Sequence, residues 1–229
     1  MSRRSDSARL AIGVVRHWPS LNAKRWAISK LSRLASEGAT AAIVGIGSAV
    51  RPVHHPGSDV DFLVVSDIDL RPDESQPIDV DLCIFRTTDI DQRLQAFDDL
   101  LGWALRFGRP IFDRNQYWAN LCTRWADKIP FPSPEVSIAR ALHFERFARE
   151  LVSMQDLDAA LEQVVAMLTH RSRAKLLRSR TYPASRPELP AQLREIGEYR
   201  LAEWLESALL NREIAQDLLD KLKERAKAA

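Results

Sequence analysis

Only two cysteines, Cys83 and Cys122, occur in 229 residues. That is too few for a disulfide framework, and no Cys/His spacing suggests a zinc site. Cys83 falls inside an apolar strand pattern, where a buried, reduced thiol is the expectation. No run of eighteen apolar residues occurs, which argues against a membrane-spanning helix. The opening stretch Met1-Ser2-Arg3-Arg4-Ser5-Asp6 is polar, with no apolar signal core behind it. Charge of one sign is also scarce. Lys and Arg number 33 against 31 Asp and Glu, a net +2, too weak to imply nucleic-acid binding by itself. There is no internal repeat and no low-complexity segment. The remainder is ordinary for a soluble globular chain, 45% hydrophobic and 28% charged. The length suits one large domain or two small ones. A cytoplasmic protein with no membrane partner is the expectation.

The acids are where the sequence becomes informative. Four Asp-x-Asp pairs fall between Asp59 and Asp91. The first follows an apolar run, Ala41-Ala42-Ile43-Val44-Gly45-Ile46, that ends in Gly47-Ser48, and a polar loop with Arg51. Ser58-Asp59-Val60-Asp61 then runs into Phe62-Leu63-Val64-Val65. Residues i and i+2 of a strand point to one side, so Asp59 and Asp61 project together. Carboxylates held that close repel unless a cation lies between them. Magnesium takes carboxylate oxygens and keeps substrate phosphates in its shell, so the pair points to phosphoryl or nucleotidyl transfer. A second acidic run, Ile78-Asp79-Val80-Asp81-Leu82-Cys83-Ile84-Phe85, supplies a third acid, either Asp81 or Asp79. Both are expected in one strand, sharing a face. Asp67 and Asp69 sit in a proline-bearing loop. Asp89 and Asp91 fall in the first turn of a helix, where acids suit the dipole. Neither pair is assigned a catalytic role.

The spacing of apolar residues predicts helices over 7–18 and 22–37, the second capped by Asn22 and ended by Gly38. Strands are expected at Thr40–Ile46, Val60–Ser66 and Ile78–Phe85. A single helix from Thr88 or Asp89 to about Phe107 carries Leu94, Phe97, Leu101 and Leu105, and Gly108–Asp113 is expected as a short edge strand after a glycine stop, where Pro110 is tolerated. Pro130, Pro132 and Pro134 mark a boundary. Beyond it come a helix capped by Ser133 or Ser137, a second over 157–179, a Pro-rich link from Tyr182 to Pro190, and a helical pair over 191–226. The fold class is α/β (α+β), a small mixed sheet followed by a helical bundle.

Gly47-Ser48, two residues, Arg51, then Ser58-Asp59-Val60-Asp61 and a later strand acid resemble the DNA polymerase beta-like nucleotidyltransferases. Within them the pattern is most similar to the minimal and aminoglycoside-type group. The resemblance covers residues 40–113, and includes Trp103 to Asp113 as the helix and strand that close the domain. It implies a nucleotidyltransferase domain over 1–130 and an acceptor- or partner-binding helical bundle over 131–229. It implies two Mg²⁺ ions on Asp59, Asp61 and Asp81 or Asp79, an NTP such as ATP as substrate, and a hydroxyl acceptor. That acceptor is a small molecule such as an aminoglycoside, an RNA such as a tRNA end, or a protein side chain. Gly47, Ser48 and Ser58 would line the phosphates, and Arg51 is either a partner of the leaving pyrophosphate or a solvated loop residue. The family often has Gly after the basic residue; here Pro52 follows, which has no amide to donate.

Several features read more simply. His54 and His55 are taken as exposed loop residues. The basic stretch His170–Arg180 puts Arg171, Lys175 and Arg178 on one helical side, either a surface for RNA or phosphate or, the simpler reading, a solvated helix face. Arg140 and His143 are too closely spaced for the ribonuclease motif of some partner proteins. The six tryptophans mostly fit apolar stripes. Two other readings compete with transfer: a regulatory nucleotide-binding module, and an antitoxin-like interaction protein.

Overall fold

The computed structural model describes residues 10–53, 58–70 and 75–210. The chain divides into two compact units, Met1–Pro130 and Phe131–Ala229.

The first unit is built on a four-stranded mixed sheet. Its strands are β1 (Thr40–Ile46), β2 (Val60–Ser66), β3 (Val80–Arg86) and β4 (Arg109–Asp113), in the order β3-β2-β1-β4. β1 is buried along its whole length, as a central strand covered on both faces should be. It pairs antiparallel with β2 and with β4. β2 and β3 are parallel over seven matched positions, from Val60 opposite Val80 to Ser66 opposite Arg86. Pro110 does lie on an edge strand, where its missing N–H leaves no central ladder broken.

Helix α1 (Leu21–Ser36) covers one face. Its Ala23, Ala27, Leu31 and Leu34 pack with Ile43, Val60, Phe62 and Val64. Ser20 caps it, accepting from the Ala23 amide at 3.0 Å, rather than Asn22, because the chain enters the helix two residues earlier. The expected helix over 7–18 is not formed in its described part. Ile12–Val14 make a 3₁₀ turn, and the amides of Ala11 and Arg16 are spent on Ile111 and Ala49 carbonyls instead of a helical ladder. Residues 7–9 lie outside the described part.

The expected single helix up to Phe107 is two, α2 (Ile90–Gln95) and α3 (Asp99–Phe107). Phe97 has φ 63° between them and is 63% exposed, not on the apolar side with Leu94 and Leu101. Asp98 then starts α3 by accepting from the Leu100 and Leu101 amides at 3.1 and 3.0 Å. A helix that the sequence reading left out, α4 (Tyr117–Trp125), follows a 3₁₀ turn at Arg114–Gln116. It buries Trp118, Leu121 and Trp125. Arg114 ties the unit together by donating to the carbonyls of Thr40, Ala35 and Glu37 at 2.8, 3.0 and 2.9 Å.

The second unit is helical in its described part. α5 (Pro134–Ser153), capped by Ser133, and α6 (Leu157–Arg178) are joined by three residues, so they form an antiparallel hairpin. A 3₁₀ turn at Arg186–Glu188 leads to α7 (Leu189–Glu195) and α8 (Tyr199–Leu210). Leu161, Val164, Leu168, Leu176, Leu189 and Leu205 are among its buried core. Part of the expected 191–226 helical pair lies outside the described residues. Among those described, no helix is long and apolar enough to cross a membrane.

Candidate active site

The two-stranded parallel pairing decides which acids meet. Asp61 stands directly opposite Asp81, and in a parallel ladder residues at matched positions point to the same face. Asp59 immediately precedes β2 and is exposed, as is Asp81, while Asp61 is partly buried. Their charges reach one another. Burial first, then the charge of Asp81, then that of Asp59, push the Asp61 carboxyl up from its ordinary 3.8 to about 6.

Asp79 is not part of this row. Ile78 and Asp79 precede β3, which begins at Val80, and Ile78 is fully exposed (100%). The expectation that one strand holds both Asp79 and Asp81 is therefore corrected, since the strand begins between them. The Asp79 carboxylate instead accepts from the Ser20 hydroxyl at 2.8 Å, and its carbonyl accepts from the Val60 amide at 3.1 Å. It anchors the start of α1 and the opening of the β2–β3 pair. Among the described residues, no three or more His, Cys, Asp and Glu side chains form a group able to hold a metal ion as they stand. Strand register sets Asp61 beside Asp81, and the charges of Asp81 and Asp59 both act on the Asp61 carboxyl.

Gly47 lies against this row. Its φ is +70°, and a Cβ there would overlap the Asp61 carboxylate. Only glycine both adopts that conformation freely and lets the backbone pass so close. Ser48 opens a 3₁₀ turn, Ser48–Val50, on which the Arg51 amide closes at 3.0 Å to the Ser48 carbonyl. The Arg51 guanidinium lies over the Phe107 ring, 4.9 Å from its centroid. Phe107 ends α3 two residues before Arg109, which pairs with Gly45, so this end of α3 and the Gly47 turn share one edge of the unit. Ser58 is partly buried beside Asp59. His54 and His55 lie outside the described residues.

Sequence reasoning missed several participants. Cys83 stands two residues beyond Asp81 and is partly exposed, not buried. Burial and then the charges of Asp61, Asp81 and Asp98 raise its thiol pKa, so it stays protonated at neutral pH. The alternation Asp81, Cys83, Phe85 was the available signal. Phe85 in turn lies under Arg93 at 4.9 Å, and Arg93 pairs with Asp98 at 3.0 Å. Ser20 and Phe107 carry no sequence signal for their contacts.

The remaining Asp pairs are structural. Asp67 accepts from the Thr87 hydroxyl at 2.6 Å and Asp69 pairs with Arg86 at 2.9 Å. Asp91 takes both Arg124 and the Trp125 indole, at 3.0 and 2.8 Å.

Residues 25–101 match the family model of the nucleotidyltransferase domain. The first unit carries a nucleotidyltransferase domain. The matched stretch contains Gly47, Ser48, Asp59, Asp61, Asp79 and Asp81. No curated protein matches the chain. Among solved structures it is similar to a nucleotidyltransferase-like protein from Exiguobacterium sibiricum 255-15, with 18% identity, 88% of this chain and 74% of that chain covered, and a TM-score of 0.40. In this nucleotidyltransferase domain the acidic row and the Gly47 turn lie at the same end of the β1–β2 pair, where Ile46 faces Asp61.

Proposed function

We propose that the chain is a Mg²⁺-dependent nucleotidyltransferase that moves a nucleoside monophosphate from an NTP, such as ATP, to a hydroxyl acceptor. The observation that carries this reading is the alignment of Asp61 with Asp81 against the Gly47 turn. The donor set fits a hard divalent ion: it offers carboxylate oxygens, and burial with the charges of Asp81 and Asp59 raises the proton affinity of Asp61, a penalty that a cation relieves. Asp59, Asp61 and Asp81 are the proposed holders; Asp79, bound to Ser20, is left out of the set. When bound, such ions neutralise triphosphate charge and sharpen the acceptor hydroxyl as a nucleophile.

The chain's own residues supply position. Gly47 keeps the turn low over Asp61, so that Ser48 and neighbouring backbone amides can face a phosphate. Ser58 adds a hydroxyl beside Asp59. Arg51, held over Phe107, would balance charge on the departing pyrophosphate. The helical unit, 131–229, is proposed to receive the acceptor or a partner. Free Cys83 and Cys122 suit the reducing cytoplasm, where Mg²⁺ and NTP are abundant.

The test is incubation with NTPs labelled at the α-phosphate, Mg²⁺ and cell extract. Label on an acceptor that disappears with Asp61→Ala supports transfer. Tight NTP binding with no label transferred by the intact protein sinks the enzyme reading and leaves a regulatory module. No NTP binding leaves an interaction protein.

A further inference from the structure

A cleft of about 360 Å³ opens at the end of the sheet remote from the acidic row. Ala41 lines it near the start of β1, Asp67 just after β2, and Thr87 just after β3. The pairing of β1 with β2 sets Ile46 opposite Asp61 at one end and Thr40 opposite Ser66 at the other. The steps along β2 from Asp61 to Asp67 span about 20 Å of extended chain, so the two places are separate.

The other wall is α4 and the turn before it. Tyr117, Asn120, Leu121 and Arg124 follow at three- and four-residue steps, so they share one side of the helix, and all four line the cleft. A helix side turned towards a sheet is normally apolar; of these four only Leu121 is buried. The turn is held from both ends. Arg114 donates its Nε to the Thr40 carbonyl and one Nη to those of Ala35 and Glu37. Asp113 accepts from the Trp118 and Ala119 amides at 2.7 and 3.1 Å. Between these anchors Asn115 and Gln116 take left-handed backbone, with φ of 52° and 58°. Residues with side chains hold that conformation where the surrounding structure enforces it, and such positions gather at ligand clamps. Asn115 joins the lining. The cleft is thus formed ahead of any ligand, which lowers the ordering cost of binding.

Its charges are largely answered within the fold. Arg124 sets Nη2 on both oxygens of Asp91 at 3.0 Å, and Arg114 is spent on carbonyls. Asp67 takes the Thr87 hydroxyl at 2.6 Å. An anion entering here meets the Asp67 carboxylate, and a cation meets two guanidiniums. Among the described residues, the carboxamides of Asn115 and Asn120 and the Tyr117 hydroxyl make no hydrogen bond to the protein. Each carboxamide sets an acceptor beside a donor. Burial, then the charge of Asp91, raises the Tyr117 phenol pKa, so at neutral pH the hydroxyl both donates and accepts.

We infer that this cleft is a binding site for a neutral nucleobase, taken up as the free base or the nucleoside. A base edge also places a donor next to an acceptor, the pattern with which a carboxamide makes two parallel hydrogen bonds. The Tyr117 ring supplies an aromatic surface of the kind on which bases stack, and Ala41 and Leu121 supply apolar contact. The volume lies at the small end of ligand sites, about 300–1,000 Å³, which suits one small molecule rather than a polymer. This inference does not depend on the transferase reading, because it rests on the far end of the sheet.

The test uses the full chain with fluorotyrosine in place of its three tyrosines, in Mg²⁺-free buffer with EDTA. Fluorine NMR is followed while adenosine or, separately, uridine is added. Tyr182 and Tyr199 belong to the helical unit and are the internal references. Binding is expected to move the Tyr117 signal saturably and to leave the other two in place. Asn120→Ala and, separately, Asn115→Gly, which keeps the left-handed backbone accessible, are each expected to weaken binding by roughly three- to tenfold. Whichever nucleoside saturates at lower concentration assigns the cleft to a purine or a pyrimidine. The inference is overturned if neither nucleoside moves the Tyr117 signal, or if ribose at equal concentration moves it as much. It is also overturned if both variants bind as the wild type does. Because the reporter stands at the opposite end of the sheet from the acidic row, failure here leaves nucleotidyl transfer untouched.

Discussion

Asp61→Asn should make the metal-free protein more stable, and more so as pH rises. A carboxyl whose proton is held at about 6 rather than 3.8 binds that proton about 3 kcal/mol more strongly in the fold than in the open chain. The sign follows from proton counting. Between the two values the folded state holds the proton and the unfolded chain does not, so stability falls as pH climbs through about 4 to 6. Above that window the ionised Asp61 sits against Asp81 and Asp59 at its full penalty. Asparagine has no such dependence. From about pH 5 to pH 8 the advantage of the variant should therefore widen by roughly 1.5 kcal/mol, or about 3–6 °C in Tm for a chain of this size. Thermal unfolding by circular dichroism in EDTA, at matched ionic strength and both pH values, measures it directly. Adding Mg²⁺ with NTP should reverse the order, because the wild type gains a ligand that the variant cannot hold. A gap that stays flat or narrows between the two pH values would refute the raised proton affinity that burial, then Asp81 and Asp59, give Asp61.

Other perturbations separate the acids by role. Asp81→Asn should lower labelled-NTP transfer by about a hundredfold or more, whereas Asp79→Asn, which loosens the bond to Ser20, should leave the rate within a few-fold and register in thermal stability. Gly47→Ala meets both a left-handed backbone and the Asp61 carboxylate. It should cost about 1–2 kcal/mol in denaturant titrations and abolish NTP binding by calorimetry. Asp91→Ala removes the acceptor of the Trp125 indole and of Arg124. A loss of about 1–2 kcal/mol is expected, with transfer kinetics unchanged.

The central strands were legible because their signals are local. Thr40–Ile46 and Val60–Ser66 are apolar runs with a clear start and stop, and they form as expected. The start of β3 was harder. Asp79 and Asp81 fit a two-residue alternation equally well, and only pairing with β2 from Val60 onward places the boundary between them. The α2–α3 break was hidden because Asp98-Asp99 reads as an exposed helical patch. What ends α2 is the left-handed Phe97, and what begins α3 is the Asp98 side chain on two amides; neither shows in apolar spacing. α4 was missed for a related reason: Asn115 and Gln116, with φ of 52° and 58°, are not residues that announce a reversal before a helix. On the basic stretch of α6, Arg171 and Lys175 find Glu145 and Glu198, as a solvated helix face would.

The seven-position match between β2 and β3 also bears on how this protein can vary over time. Side-by-side acids depend on ladder alignment, which Asp79 helps to open by taking the Val60 amide on its carbonyl. Descendants can therefore vary little inside either strand, because a single residue gained or lost there would swing one carboxylate to the opposite side of the sheet.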